Sequence, residues 1–572
     1  MKNIYCVLVF LAGAMSLSAS VTFDGPTNTV TITSPEHSPA TSTETGTVPA
    51  TGSIQQINHV IFMLQENHSF DSYFGMLNPY RIANKWNIGD DGITYSVDGI
   101  DDKLDTITNS DEEGKSYPLF KFKSTCLDDL SAVWDSSYKD IDVNDYSLSR
   151  SIQMKGFVQN AEAFAKNCAA HGGSNCPGAF TDLTGQGAMG YYDQKYLNYY
   201  YFIASQFAVS DRWFSPVSAK TQPNRVATFT GGTTQGLVQS PLGDDHLSPL
   251  KINTIFEELD TANVTWKVYY TVTEGFCLND DDCGTSKTDR FPQTYLNDFA
   301  YFTKYLHERS GSCASPTQES SVVGDATNSF CIDTAHVAPL STYFKDVANG
   351  TLPSFAFIES GYGQNDEHPQ SGQSILLGQA QVASIVNALM TSPSWSDSVF
   401  FFSYDEDGGL YDHVPPVPGH SNDFTDEPVG AYPDIAAIAV NPDHYVPCLP
   451  SGSKPTTHCD LNSKDPGAKS TDAAAKDGFA AQLGFRMPNV IISPFTRRHY
   501  VSHIPMDHTA VIKFVENRFI SPSSHLTARD APQPDLLDFF DFNNIPWATP
   551  PTPPAAVTKK SLGYNPCTPA SM

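Results

Sequence analysis

The feature that most constrains the fold is an alternation of short β-branched and aromatic runs with segments of helical periodicity. Five runs have the length and composition of buried strands: His59–Leu64, Val264–Tyr270, Ser354–Ile358, Ser398–Tyr404 and Val490–Ser493. Apolar residues at helical spacing occupy 375–389, between two of these runs, and 511–519, after the last. This order predicts an α/β fold with a mostly parallel central sheet and helices on both faces. The length of 572 residues also predicts either long loop insertions or a second domain.

The two ends of the chain differ in composition from its middle. Residues 1–20 contain Lys2, an apolar run and small residues, which predicts an export signal that is too short to span a membrane. Residues 21–53 are rich in Ser, Thr and Pro and predict a flexible lead-in. The folded domain is expected at 54–544, and 545–572 form a Pro-rich tail. We therefore expect a secreted or periplasmic protein without a stable membrane anchor.

The charge of the chain restricts its partners. A formal net charge of -29 disfavours nucleic acids and anionic membranes, because both carry dense negative charge. Hydrophobic residues make up 40% of the chain, enough for a folded core. Any phosphate-bearing substrate must therefore be captured by local positive charge within a site.

The cysteine content fits an oxidising compartment. The chain has 11 cysteines, and the leader contains Cys6, so an even number remains after the leader. Neighbouring cysteines offer these loop-closing pairs: Cys168 with Cys176, Cys277 with Cys283, Cys313 with Cys331, and Cys448 with Cys459. Cys126 and Cys567 would remain for a long-range pair, although spacing alone does not determine connectivity.

Oxygen donors cluster directly after two of the predicted strands. The first strand is followed by the segment 65–71, which contains Glu66, Asn67 and Asp71, and the fourth by Asp405 and Glu406. Carboxyl ends of parallel strands meet at one edge of a sheet, where ligands collect. Carboxylates with an amide oxygen suit a divalent cation. The alternative is that these are turn and capping residues, and spacing alone favours neither interpretation.

A third segment, 215–225, places Thr221 where a helix would begin. Pro223 fits the first helical turn, whose free N–H groups can receive a phosphate while the Thr221 hydroxyl faces it. Thr221 as a simple helix cap is the commoner case on local sequence alone.

Several motifs, in order, resemble the phosphoesterase family of phospholipase C and acid phosphatase type. The two strongest are the segment Glu66–Gly75, similar to an ENxSFDxYFG opening, and Thr221–Arg225, similar to a TxPNR segment. Further similar segments are Met189–Tyr192, Asn365–Pro369, Tyr404–Glu406, Gly408–Gly409, Asp412–Pro416 and Asp507–Thr509. Together the motifs span about residues 57–519, most of the chain.

The resemblance implies an alkaline-phosphatase-like fold, a divalent metal of unknown identity and a set of site residues. The implied metal ligands are Glu66, Asn67, Thr221, Asp405 and Glu406. Thr221 would be the nucleophile and form a phospho-threonine intermediate, and His368 would protonate the leaving oxygen or bind phosphate. The supporting or substrate-binding candidates are His413, His508, Asp366, Arg225 and Asp71. For Asp71 and Arg225 we favour a role in orienting neighbouring loops.

Two positions depart from the family pattern, and three functions stay open. Ala132 stands where an Asp-x-x-His-x-Trp block has histidine, and Asp407 stands where many relatives have histidine. The leading hypothesis is a phospholipase C-type phosphodiesterase that acts on a phospholipid, with transient contact with the lipid surface. A broad phosphomonoesterase acting on small phosphate esters is the alternative. A secreted protein that binds phosphate esters without turnover is a third hypothesis.

Overall fold

The structure is a computed structural model of the 572-residue chain. It describes residues 20–24, 29–33, 52–142, 154–172, 182–232, 253–271, 273–274, 290–291, 336–361, 365–369, 373–415, 483–527 and 530–567. Contacts divide the chain into two units, Met1–Thr51 and Gly52–Met572.

A six-stranded sheet forms the centre of the larger unit. Its strands, in chain order, are β1 His59–Gln65, β2 Trp266–Tyr270, β3 Val337–Pro339, β4 Phe355–Glu359, β5 Ser398–Tyr404 and β6 Val490–Ile492. Their spatial order is β3-β2-β4-β1-β5-β6. All neighbours are parallel except β5 and β6, which pair antiparallel at the edge. The prediction of a mixed α/β chain with a mostly parallel sheet is confirmed.

The central strands are buried along almost their whole length. Every residue of β5 is buried, and in β1 only the first is partly exposed. Strands covered on both faces carry continuous apolar runs, such as Val60–Leu64 and Val399–Phe402, in place of an alternating pattern. β1 therefore lies in the interior, and the residues that follow it emerge at the carboxyl edge of the sheet.

Among the described residues, the α-helices of the larger unit are Phe70–Phe74, Leu77–Asn84, Trp134–Asp142, Phe157–His171, Asn198–Gln206, Thr221–Phe229, Ile255–Thr261, Leu340–Asn349, Ile375–Met390, Thr509–Phe519 and Lys559–Leu562. The two helices expected from apolar spacing are present at 375–390 and 509–519. Ser374 caps the first of these, because its hydroxyl accepts from the amide of Leu376 at 3.3 Å. No described helix has the length and apolarity needed to cross a bilayer.

Short strands outside the main sheet join loops in pairs. They are Thr108–Ser110 with Ser116–Pro118, Phe120–Lys121 with Gly190–Tyr191, Val209–Ser210 with Val501–Ser502, Trp213–Phe214 with Met506–Asp507, and Thr273–Glu274 with Arg290–Phe291. In the smaller unit, Ser20–Asp24 pairs antiparallel with Thr29–Thr33, in a region for which we predicted no strand. Apart from Gly52 and Ser53, the rest of the predicted signal and lead-in lies outside the described residues.

The C-terminal tail follows the surface of the larger unit. The amide of Trp547 donates to the carbonyl of Pro494 at 2.8 Å, and the amide of Val557 donates to Asn198 Oδ1 at 2.8 Å. A disulfide joins Cys126 to Cys567, 441 residues apart in sequence. Cys168 is also disulfide-bonded, whereas the remaining predicted pairs lie outside the described residues.

Candidate active site

The ends of β1 and β5 bring four of the predicted ligands together. The two strands pair in parallel with Gln65 opposite Tyr404, so Glu66 and Asp405 leave the sheet side by side. Asp405 Oδ1 accepts from the backbone amides of Asn67 at 3.2 Å and Glu406 at 2.8 Å. All four side chains are buried. The sheet edge therefore carries a compact group of oxygen donors.

Thr221 reaches the same group from another element. It is the first residue of the helix Thr221–Phe229, and its hydroxyl donates to Glu66 Oε2 at 3.3 Å. Asn224 fixes the approach to this helix, because its side chain accepts from the amide of Val217 at 2.8 Å and donates to the carbonyl of Ala219 at 2.6 Å. The Thr221 hydroxyl is thus held at a helix N-terminus beside a carboxylate.

Arg225, one turn further along the same helix, lies among three carboxylates. Its guanidinium contacts Glu66 at 2.6 Å, Glu359 at 3.3 Å and Asp405 at 3.4 Å. Burial raises the pKa of Glu359 to about 8, against the opposing effect of Arg225. Sequence reasoning missed Glu359, although its place at the end of a central strand was a signal. Arg225 holds the loops at this edge together and offsets part of their charge.

The buried oxygens at this edge that have no hydrogen-bond partner among the described residues include Asn67 Oδ1 and Glu406 Oε1. Burial, together with the charges of Asp407 and Asp405, raises the pKa of Glu406 well above its usual value. Buried acceptors are normally satisfied, so these two atoms suit a cation. The donor types at this edge suit a divalent metal ion, but Arg225 already pairs with Glu66 and Asp405, and the acidic groups whose ligand atoms all lie within 4.8 Å of one another are found elsewhere among the described residues.

The backbones of Asn67 and Gly408 approach each other closely. Asn67 has a positive φ of 62°, and a Cβ on Gly408, whose φ is 68°, would lie 2.4 Å from the carbonyl oxygen of Asn67. Only glycine fits at 408, because both the φ and the contact exclude a side chain. The segment after β5 is therefore pressed against the segment after β1.

The predicted residues His368 and Asp366 border this group. The amide of Glu66 donates to the carbonyl of Asp366 at 2.9 Å, which ties the 366–368 segment to the end of β1. Burial lowers the pKa of His368 to about 4, so its imidazole is neutral near pH 7. Its Nδ1 lies 3.1 Å from the carbonyl of Pro369 and 4.0 Å from Asp129 Oδ1. Because a carbonyl only accepts, Nδ1 carries the proton.

Glu367 links several parts of the site, and sequence reasoning missed it. Its carboxylate accepts from the hydroxyls of Tyr73 at 2.7 Å, Tyr200 at 2.5 Å and Tyr404 at 2.8 Å. Burial raises the pKa of Glu367 to about 7, while these three hydrogen bonds oppose the shift. Its backbone carbonyl also contacts His68 Nε2 at 3.1 Å. The position of Glu367 between the predicted residues Asp366 and His368 was a sequence signal for its importance. Its hydrogen-bond partners, however, come from distant parts of the chain.

Asp71 and His413 belong to a neighbouring charge network. His413 Nδ1 lies 2.7 Å from Asp71 Oδ2, and His413 Nε2 lies 3.0 Å from Asp98 Oδ1. Although burial opposes it, these contacts raise the pKa of His413 to about 9. The buried Arg486 guanidinium pairs with Asp71 at 3.0 Å and with Asp412 at 2.8 Å. Asp71, Asp412 and His413 could together hold a metal ion by proximity, but Arg486 already offsets their charge.

The remaining predicted residues lie around this centre. His508 is buried against the helix Thr221–Phe229, with Nδ1 3.3 Å from the hydroxyl of Thr228, and burial lowers its pKa to about 3. Asp407 accepts from the amide of Gly409 at 2.9 Å, and burial raises its pKa to about 7. Ala132 is also buried. Among these three, Asp407 belongs to the same loop as the predicted ligands.

Comparison with known proteins identifies the family of this chain. The family model "Phosphoesterase family" matches residues 57–521. Phospholipase C B of Mycobacterium tuberculosis is 25% identical over 532 residues, covering 89% of this chain and 81% of that protein. Hemolytic phospholipase C of Pseudomonas aeruginosa is 24% identical over 86% of this chain and 57% of its own length. Non-specific phospholipase C3 of Arabidopsis thaliana is 26% identical over 65% of this chain and 58% of its own length. The chain therefore belongs to the Phosphoesterase family.

Proposed function

We propose that this protein is a metal-dependent phosphoesterase of phospholipase C type that uses Thr221 as its nucleophile. The observation that carries the proposal is the hydrogen bond of 3.3 Å from the Thr221 hydroxyl to Glu66 Oε2, at the N-terminus of a helix. A helix N-terminus attracts a phosphate, and an adjacent carboxylate can take the hydroxyl proton. The order of the elements suits an alkaline-phosphatase-like fold, which we include in the proposal.

The site residues have different roles in the reaction at phosphorus. Thr221 Oγ gives its proton towards Glu66 Oε2 and attacks phosphorus, forming a phospho-threonine that water then hydrolyses. A divalent cation held by Glu66, Asn67, Thr221, Asp405 and Glu406 would lower the pKa of the hydroxyl and offset charge on the phosphoryl oxygens. Arg225 keeps Glu66 and Asp405 in position through its ion pairs. His368, as a neutral imidazole with Nδ1 bound to a carbonyl, suits binding within the site better than proton donation.

The substrate class follows from the relatives and from charge. The relatives are named phospholipases C, so we propose a phospholipid as substrate, cleaved to a phosphorylated head group and diacylglycerol. The net charge of -29 favours a zwitterionic lipid surface over an anionic one, with transient contact only. Export of the chain is part of the proposal, and mass analysis of culture medium from a producing host would test it.

The decisive experiment compares variants on two substrates. Purified protein is offered a phosphatidylcholine analogue and a simple aryl phosphate, with metal content measured for each sample. Thr221→Ala is expected to lose at least about 10³-fold in kcat while keeping its metal, because the nucleophile is removed and four of the five proposed ligands remain. Thr261→Ala, which alters an exposed threonine at the end of another helix, serves as the matched control.

The outcomes separate the hypotheses. Preference for the diester supports phospholipase C activity, and preference for the aryl phosphate supports a phosphomonoesterase. Full activity in Thr221→Ala would overturn the nucleophile assignment. Phosphate-ester binding by wild type without any turnover would support a binding protein instead.

A further inference from the structure

We propose that Asp129 is the general acid of this site: its carboxyl protonates the oxygen of the leaving alcohol and then takes a proton from the hydrolytic water. This inference rests on the proposed phosphoesterase function and names the proton donor that such a reaction needs. An alkoxide from a lipid or an alkyl ester is a poor leaving group, so its departure requires a proton in the transition state.

The position of Asp129 is the first argument. Its Oδ1 lies 4.0 Å from His368 Nδ1, and its side chain is 13% exposed. The next two residues, Leu130 and Ser131, lie against Gly409, where an added Cβ would come within 3.0 Å of both. Asp129 therefore borders the loop that carries Asp405 and Glu406.

The surrounding contacts hold this segment in place. Asp128 Oδ2 accepts from the amide of Asp182 at 2.8 Å, and the Cys126–Cys567 disulfide lies three residues before Asp129. The carbonyl of Thr125 accepts from the amide of Ile375 at 3.0 Å, at the start of the helix Ile375–Met390. An acid held in this way is positioned by the body of the protein and needs no loop closure to reach the site.

Protonation is the second argument. Among the described residues, the groups that act on the Asp129 carboxyl are the Leu130 amide, Lys220 and Asp128, and His368 lies beside it. Burial raises the pKa of Asp129 to about 8, while the Leu130 amide and Lys220 oppose the shift. Asp129 thus carries a proton near pH 7, whereas His368, with a pKa lowered to about 4, lacks the second proton it would need to act as an acid.

The proton transfers balance over the two steps. In the first, Thr221 Oγ bonds to phosphorus and gives its proton to Glu66, while the bond from phosphorus to the leaving oxygen breaks. The leaving oxygen keeps that electron pair and takes the proton of Asp129, which becomes a carboxylate. In the second step, water gives a proton to Asp129, its oxygen bonds to phosphorus, and Thr221 leaves with the proton held by Glu66. Both residues return to their starting states.

The test varies the leaving group and the residue together. Two phosphocholine esters are compared, one that releases p-nitrophenol and one that releases an alkyl alcohol. Because p-nitrophenolate departs without protonation, Asp129→Asn should slow its release less than about 5-fold, while release of the alkyl alcohol should fall about 10²–10⁴-fold. Asp129→Glu, which restores a carboxyl, should recover much of the alkyl activity.

Matched controls make the result decisive. Asp102→Asn changes an exposed carboxyl that pairs with Lys103 outside the site, and it should affect both esters equally. An equal loss on both esters in Asp129→Asn would overturn the proposal and indicate a positioning role. If Asp129→Asn does not fold, the wild type provides the test, and the absence of a solvent isotope effect in D₂O on release of the alkyl alcohol would overturn the proposal equally. Absence of Thr221-dependent hydrolysis in wild type would instead refute the proposed function itself.

Discussion

The guanidinium of Arg225 donates to Glu66 Oε1 at 2.6 Å, and only 1% of each side chain is exposed. This pair joins the helix Thr221–Phe229 to the end of β1, so Arg225 helps to hold both the Thr221 hydroxyl and the carboxylate that accepts from it. The same guanidinium contacts Glu359 and Asp405 on the two strands that flank β1. A single buried cation therefore connects three adjacent strands at the edge where the site lies.

Replacing Arg225 with methionine should destabilise the fold. Removing one partner of a buried ion pair leaves uncompensated carboxylates, which costs about 3–5 kcal/mol. Lys103→Met, at a partly exposed pair with Asp98, should cost less than about 1 kcal/mol. Urea unfolding of both variants in metal-free buffer measures the difference, and equal losses would contradict the role given to Arg225.

Glu367 should make stability depend on pH. Its pKa is raised from 4.5 to about 7 in the folded state, so the folded chain holds this proton more tightly than the unfolded chain does. Its contribution to stability is complete below about pH 4.5 and is lost as pH rises to about 7, by roughly 3 kcal/mol. In Glu367→Gln this part of the pH dependence should vanish.

The measurement for Glu367 is the difference in the free energy of unfolding between wild type and Glu367→Gln from pH 4 to 8. Taking the difference cancels the other titrating groups that the two proteins share. A difference that stays constant across that range would show that Glu367 keeps its usual pKa when folded.

Gly408→Ala should impair the site through the backbone. A Cβ at 408 would lie 2.4 Å from the carbonyl oxygen of Asn67, so the two loops must separate. We expect at least about 10-fold weaker metal binding, measured by titration calorimetry. Gly114→Ala is the matched control, because Gly114 also has a positive φ, of 82°, but its Cβ would have nothing within 4 Å. Equal metal affinity in the two variants would refute the crowding argument.

The Cys126–Cys567 disulfide should stabilise the larger unit. Removing it with Cys567→Ser should lower the free energy of unfolding by about 2–4 kcal/mol, since the bond closes a loop of 441 residues. Thermal unfolding with and without reductant provides the measurement. Reductant should shift the wild type towards the variant, and an unchanged Tm in Cys567→Ser would contradict this expectation.

The sequence predicted the strands well because buried parallel strands have continuous apolar runs. β5 matches its predicted bounds, and β1 is one residue longer than expected. The strand Val337–Pro339 was missed because three residues ending in proline carry no periodic signal. The antiparallel direction of β6 could not be predicted from the apolar pattern, because composition does not encode strand direction.

For the site, the order of motifs placed Glu66, Thr221 and Asp405 near one another, and the structure brings them together. Their roles as ligands and nucleophile stay predictions. Glu359 and Glu367 were missed, because their importance arises from partners more than a hundred residues away, such as Arg225 and Tyr200. Such contacts exist only after tertiary assembly.

The bond between Cys126 and Cys567 has a consequence for biogenesis. The segment ahead of Asp129 receives its covalent anchor only after residue 567 has been synthesised, and only where thiols can be oxidised. In a nascent chain, or in a chain held in a reducing compartment, the segment ahead of Asp129 therefore lacks this disulfide. The disulfide therefore forms late in the maturation of the protein, by an oxidation that depends on the compartment.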